Sequence, residues 1–256
     1  MSLVASSRPV VLVTGAARRV GRAIALELGA HGYDVAVHYH GSRDDAFETV
    51  AELQAMGPRA HAFQADLADE AACRALLPAV AAHFGHVDAV VNNASTFEHD
   101  DVASFGFAAM DRHWRANTAP AVLLAQALHA RGGEGCVVNL LDQKLWNPNP
   151  DYFSYTLSKA ALQAATVMLA QALAPRLRVC GVAPGMTLPS GPMDADEFEA
   201  ARRLTPLRRS SDPDDIARTV RFLIESPAIT GSTLLVDGGQ HLTAQPRDVL
   251  YLVKKN

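Results

Sequence analysis

Residues 9–14, Pro-Val-Val-Leu-Val-Thr, form a continuous apolar run that ends on Gly15 and gives way to helical spacing over 20–31. A short β-branched run with no polar alternation reads as a strand buried on both faces, so helices must cover it on each side. The same unit repeats along the chain. Strands are expected over 35–39, 60–64, 87–91, 136–140, 178–182 and 233–236. Helices are expected over 43–56, 69–84, roughly 110–130, 152–174 and 212–225, with stops at Gly32, Gly57-Pro58, Gly85 and Gly132-Gly133. Strands separated by helices of this length pair in parallel through right-handed crossovers. The expected fold is therefore α/β: one doubly wound domain over 1–256, with 240–256 as a C-terminal tail. The least regular stretch, 187–206, carries Pro189, Gly191 and Pro192 and is a candidate lid.

Composition narrows the function classes. Twenty-three Lys+Arg against 27 Asp+Glu leave a net charge of −4, which is not the signature of a nucleic-acid binder. No apolar run reaches the roughly 18 residues of a membrane helix, and the first residues lack the roughly 7–15 apolar positions of a secretory leader. Cys73, Cys136 and Cys180 form no CxxC pair, and the histidines show no metal-ligand spacing. A cytoplasmic chain with a small-molecule substrate and no metal, nucleic acid or membrane partner is the expectation.

The turn over 14–21, Thr-Gly-Ala-Ala-Arg-Arg-Val-Gly, joins the first strand to the first helix. Gly15 permits a tight turn, Ala16 and Ala17 let backbone N–H groups approach a pyrophosphate, and Gly21 lets the helix pack closely. Asp66-Leu67 follows the third strand, where a carboxylate can accept from an adenine amino group. Asn92-Asn93-Ala94 ends the fourth, at the edge where doubly wound sheets bind ligands. An NAD site would place an acid at the end of the second strand. Here that end reads His38-Tyr39-His40-Gly41-Ser42-Arg43. Arg18 and Arg43 supply positive charge, and His40 and Ser42 supply donors, which suits a 2′-phosphate and predicts NADPH.

Tyr155 and Lys159 stand four apart on one helical face. An ammonium beside a phenol is expected to lower its pKa from about 10 towards neutrality.

With these features in place the chain resembles the short-chain dehydrogenase/reductase family over essentially its whole length. The resemblance rests on 14–21, Asp66, 92–94, Asn117, Tyr155, Lys159, Pro184-Gly185 and 237–239. It implies a Rossmann-type fold and a cofactor held by Gly15, Arg18, Arg19, Val20, Gly21, Tyr39, His40, Ser42, Asp66, Leu67, Asn93, Ala94, Ser95, Tyr155 and Lys159. It also implies that Pro184, Gly185 and Thr187 lie along the nicotinamide and that Asn117 holds a proton-relay water. A homotetramer built on the long helices after strands four and five follows from the same likeness.

One position departs from the family. A serine usually sits thirteen residues before the tyrosine, and this chain has Asp142 there. An ionised carboxylate only accepts hydrogen bonds and would repel a developing alkoxide, so it fits ketone reduction poorly. It suits a substrate that offers donors or a nitrogen that takes up a proton, and its charge keeps Tyr155 protonated. The pteridine reductase and dihydromonapterin reductase branch resembles this chain in Asp142, in Thr-Gly-Ala-Ala-Arg-Arg-Val-Gly-Arg, in His-Tyr-His-Gly-Ser and in Asn-Asn-Ala-Ser-Thr-Phe. By that likeness Phe97 stacks on a pterin, Ser95 and Arg19 hold pterin and phosphates, and Asp142 with Tyr155 protonates a ring nitrogen. The expected function is NADPH-dependent reduction of a pterin C=N bond. The alternatives are a carbonyl reductase of the same family and, from another class, a non-catalytic NADP(H) sensor. Two further expectations remain open: Trp146 lines the pocket or packs at the surface, and Arg247 in the tail closes a neighbour's pocket or the tail frays.

Overall fold

The strands are β1 (Val10–Val13), β2 (Asp34–Tyr39), β3 (Ala60–Gln64), β4 (Ala89–Asn92), β5 (Gly135–Leu140), β6 (Leu177–Pro184) and β7 (Thr233–Val236). They form one parallel sheet in the order β3-β2-β1-β4-β5-β6-β7. The computed structural model describes residues 8–189 and 193–253, so Gly191 and Pro192 of the expected lid and 254–256 of the tail lie outside it. Helices α1 (Arg19–Ala30), α2 (Arg43–Met56) and α8 (Pro213–Glu225) cover one face. Helices α3 (Glu70–Phe84), α5 (Ala119–Ala130) and α6 (Phe153–Ala172) cover the other. The side chains of β1 alternate between the two resulting cores: Val11 and Val13 face the first, Val10 and Leu12 the second, all with no exposed surface. That is why the strand carries no polar alternation. Truncating Leu12 to alanine would cost roughly 2–5 kcal/mol.

The chain winds outward from β1 to β3 and then returns to β4 beside β1. This reversal separates the loops after β1 and β4 and opens a crevice at the strands' carboxyl ends.

The helical region expected over roughly 110–130 is helical throughout, with one irregularity. Helix α4 (Phe107–His113) and α5 are joined by a π-helical turn, Trp114–Thr118. Pro120, at the start of α5, has no N–H to continue the ladder, and the wider turn absorbs the break. Within the irregular stretch, α7 (Ala195–Arg202) opens on a capping box between Asp194 and Glu197. The tail ends in α9 (Val249–Val253), whose Leu250 packs with Met193, Phe198 and Ala201 around α7. Among the described residues no helix is long and apolar enough to cross a membrane, and no cluster suits a metal ion.

Candidate active site

A cavity of about 840 Å³ lies at the carboxyl ends of the strands. Its floor is cross-linked by Thr14, whose Oγ1 accepts from the Asn93 and Ala94 amides at 2.9 and 3.0 Å. Asn93 Nδ2 in turn donates to the Thr14 and Gly15 carbonyls at 2.9 and 3.2 Å. Gly15 has φ +62°, and a Cβ on Gly21 would lie 2.2 Å from the Gly15 oxygen, so the two glycines are sterically required. His38 completes the turn. The Gly15 N–H donates to its Nδ1 at 3.1 Å, which leaves the proton on Nε2, 3.2 Å from the Ala65 oxygen. Burial pushes the His38 imidazole down to about 4, against the opposing hydrogen bond to Ala65, so it is neutral.

The N-terminus of α1 points into this end of the cavity without a side-chain cap, which suits an anion. Arg18, Arg19, Val20 and Gly21 line the wall from that helix, and Tyr39, His40 and Ser42 from β2. Arg19 takes φ 55° and its guanidinium reaches the Pro189 oxygen at 3.1 Å, spanning the mouth. Asn93, Ala94, Ser95, Gly185 and Thr187 also reach the cavity. Asp66 and Leu67 lie off its wall: Leu67 is buried, and Asp66 pairs with His40 at 3.4 Å. Arg43 turns towards the Phe47 ring, leaving Arg18 as the nearer cation. Pro184 belongs to β6, and Trp146 likewise stays off the cavity wall.

The other end is built by α6. Its N-terminus is capped from afar by Asp100, which accepts from the Ser154 amide at 2.9 Å and also from the Ser154 hydroxyl. This places Tyr155 opposite Asp142, with the phenol donating to Asp142 Oδ2 at 2.7 Å. The Lys144 amide donates to the other carboxylate oxygen at 2.8 Å. Burial raises the Asp142 carboxyl, partly offset by the Lys144 amide, the Tyr155 hydroxyl and the nearby lysines. Burial and the Asp142 charge push the Tyr155 phenol well above 10. The expected lowering by the lysine does not occur. The Lys159 ammonium lies 5.8 Å from the tyrosine ring and donates to the Leu140 oxygen at 2.7 Å. Burial brings Lys159 itself down to about 8, with Asp142 opposing.

Asn117 sits on the π-helical turn with its carboxamide fully engaged. Oδ1 accepts from the Thr96 amide at 2.7 Å and the Ser95 hydroxyl at 3.1 Å. Nδ2 donates to the Thr96 oxygen at 3.0 Å and to Ser158 Oγ at 2.9 Å. Four bonds exhaust an asparagine side chain. What it does here is hold the loop carrying Ser95 and Phe97. Phe97 is 42% exposed, stacks on Tyr152 at 4.1 Å and meets Tyr155 edge-on at 4.6 Å. Phe97 is part of the cavity wall.

The family model described as enoyl-(acyl carrier protein) reductase matches residues 15–241. The chain is a short-chain dehydrogenase/reductase. Over 92% of its length this dehydrogenase/reductase is 35% identical to pteridine reductase 1 of Leishmania tarentolae, covering 97% of that protein. It is also 35% identical to the 3-oxoacyl-[acyl-carrier-protein] reductase FabG of Staphylococcus aureus, over 90% of this chain and 97% of that one. The FolM alternative dihydrofolate reductase 1 of Brucella suis, crystallised with NADP, superposes with a TM-score of 0.90 at 41% identity, covering 93% of this chain and 97% of that one. Among these relatives, the pteridine reductase supports the resemblance carried by Asp142.

This short-chain dehydrogenase/reductase also carries site residues that its sequence does not advertise. Gln143, Lys144, Met186, Leu188, Gln240, Asp248 and Val249 all reach the cavity. The tail arrives through a buried carboxylate. Asp151 accepts from Arg247 Nε at 3.0 and 2.8 Å and from the Asp248 amide at 2.7 Å. Lys144 Nζ then ties the Asp151 oxygen, at 2.7 Å, to Asp248 Oδ2, at 3.2 Å. Within the chain Arg247 pairs with Asp151, whose carboxylate is almost without exposed surface and requires a countercharge. The tail is docked rather than frayed. Residues about a hundred positions apart leave no periodic signal, so no local pattern could have announced this contact.

Proposed function

We propose that this dehydrogenase/reductase uses NADPH to reduce the C=N bond of a dihydropterin-like substrate. The observation that carries the reading is the 2.7 Å hydrogen bond between Tyr155 and a half-buried aspartate at the cavity wall. Bound NADPH supplies the hydride. The uncapped α1 N-terminus with Arg18, Arg19, Gly15, Val20 and Gly21 suits its phosphates, and Arg18 with His40 and Ser42 suits a 2′-phosphate. Asn93, Ala94, Gly185 and Thr187 line the part of the cavity where the nicotinamide would lie, and the Lys159 ammonium would hold the ribose. A cofactor-bound relative of 41% identity supports the assignment.

Asp142 and Tyr155 then manage one proton. Tyr155 stays protonated at neutral pH because ionising it would put two negative charges side by side in a buried place. The raised affinity of Asp142 lets its carboxyl take a proton in turn, so the pair can deliver one to a ring nitrogen. A carbonyl oxygen would gain negative charge beside this carboxylate, a cost that a nitrogen accepting a proton avoids. The Phe97 face is placed for stacking a flat heterocycle, and Ser95 and Arg19 flank it. Asn117 acts through the loop it holds. Surface Leu157, Val167 and Met168 on α6 fit the proposed homotetramer.

A second reading has its own support: a 3-oxoacyl reductase is as similar to this chain as the pteridine reductase is. The test is NADPH oxidation with dihydrobiopterin, dihydromonapterin and dihydrofolate beside a 3-oxoacyl ester. Pterin turnover that disappears in Asp142→Ala supports the first reading; turnover of the ester alone would replace it with the second.

A further inference from the structure

Lys144 is 4% exposed, yet it brings a charged side chain into the wall of the cavity. Burying an ammonium costs free energy unless it is paired and hydrogen-bonded, and a methionine would fill similar space without that cost. The partners show what the charge is matched to. Nζ donates to the Asp151 carbonyl oxygen at 2.7 Å and to Asp248 Oδ2 at 3.2 Å. The Tyr152 ring, its centroid 5.3 Å from Nζ, adds a cation–π contact. Each partner belongs to a different part of the site. Asp248 comes from the tail, and Asp151 is the residue that anchors Arg247. Tyr152 leads into α6 with φ 56° and ψ 52°, a left-handed conformation uncommon for a bulky residue, and stacks on Phe97 at 4.1 Å. The backbone of the same lysine supplies another tie, its amide donating to Asp142 Oδ1 at 2.8 Å.

We propose that Lys144 is a positioning residue that joins the docked tail to the proton-handling pair, its amide fixing the Asp142 carboxylate while its ammonium fixes Asp248, Asp151 and the ring stacked on Phe97. The inference rests on the reading of Asp142 and Tyr155 as the groups that manage the proton, and it deepens that reading. The charged and titratable groups facing Asp142 are Tyr155 and Lys159 from α6 and Lys144 from its own turn. Burial raises the Asp142 carboxyl, and the Lys144 amide, the Tyr155 hydroxyl and the two ammonium groups hold it down. Lys144 is the member of this set whose charge is shared with the tail. While Asp248 is docked, its carboxylate balances part of that charge; with the tail released, the charge acts more strongly on Asp142. Through the lysine, the tail sets the proton affinity of a carboxylate about a hundred positions away.

The test uses the full-length chain with NADP⁺ bound and compares wild type with Lys144→Met and Asp248→Ala. Limited proteolysis of 240–253 and titration of the Asp142 carboxyl need no substrate; the carboxyl is followed by the infrared band that is missing in Asp142→Asn. Both variants should speed cleavage of the tail severalfold. Their effects on Asp142 should differ in sense. Lys144→Met removes a positive charge and should raise the carboxyl by about one pH unit. Asp248→Ala leaves the lysine unbalanced and should not raise it. The kcat profile for dihydrobiopterin should show the same displacement in Lys144→Met, with KM raised about fivefold as the Tyr152–Phe97 stack loosens. A lysine that only packs the fold would lower the Tm and leave the titration unmoved. The inference is overturned if Lys144→Met leaves the Asp142 titration in place, if Asp248→Ala raises it as much, or if the tail keeps its protease resistance in both variants. Should Lys144→Met not fold, Asp248→Ala decides alone: a tail as resistant as in wild type, or a raised carboxyl, overturns the inference. Failure of wild type to reduce any dihydropterin is a separate outcome. It rejects the functional reading, while the proteolysis and the carboxyl titration still decide whether Lys144 ties the tail to Asp142.

Discussion

The Tyr155 phenol and the Asp142 carboxylate lie 2.7 Å apart: the carboxylate raises the proton affinity of the phenol, while the phenol's hydrogen bond lowers that of a carboxyl that burial has raised. Removing either partner should break a shared function. Tyr155→Phe and Asp142→Asn are each expected to lower kcat about 10²–10⁴-fold, and the double variant should be little worse than either alone. Asp142→Asn should also bring the Tyr155 phenol down towards 10, seen in an ultraviolet titration. Additive losses in the double variant would show that the two residues act separately.

Lys159 gives the alkaline limb of the pH profile. Burial sets its ammonium at about 8. A lowered amine loses its charge as pH rises through that value, so kcat/KM should fall above about pH 8 with a slope of one proton. Lys159→Arg keeps its charge throughout this range and should move the limb out of it. A limb unmoved in that variant would assign it to another group.

His38 links acid sensitivity to folding. Its ordinary value is 6.5, and the buried imidazole is held near 4. Below 6.5 the unfolded chain takes up a proton that the native one refuses. Stability should therefore fall by about 3 kcal/mol as pH drops from 6.5 to 4, then level off. Urea unfolding across this range should show the loss in wild type, and His38→Gln should lack that component.

Arg18 lines the cavity with Ser42, and on the proposed reading it carries the cofactor preference. Arg18→Ala should reduce the ratio of NADPH to NADH kcat/KM about tenfold, equivalent to about 1.4 kcal/mol, while Arg43→Ala leaves it nearly unchanged. The opposite ranking would place the 2′-phosphate beside α2.

The tail latch predicts a division between cofactor and substrate. Arg247→Ala removes the charge that holds Asp151 and should expose 240–253 to limited proteolysis. The dihydropterin KM should rise severalfold, with NADPH affinity unchanged. Equal protease resistance in the variant would show that α9 packing alone holds the tail.

The cofactor half of the molecule was legible because it is written locally. Its strands are continuous apolar runs, its turn is bracketed by two glycines with no room for a Cβ, and Tyr155 and Lys159 keep helical spacing. Asp142 stood out as a substitution at a fixed distance from the tyrosine. What escaped depends on distant partners. The π-helical turn follows from a proline competing with helix geometry, and the lysine's effect on the tyrosine was outweighed by burial. Lys144 and Asp248 acquire meaning through a chain of contacts that converges on Asp151. Asn117 was found, but its side chain proves committed to the neighbouring loop.

Thr14 and Asn93 lock the loops after β1 and β4 into one another. Binding the dinucleotide should therefore require little rearrangement of the protein. The opposite rim is assembled from the Gln143–Leu145 turn, the loop after β6 and the docked tail, none of which contributes a strand to the sheet. This gives the molecule a chassis and an exchangeable fitting. A redesign of substrate preference can recast the short turn and the tail together while leaving the redox half and the folding core as they are.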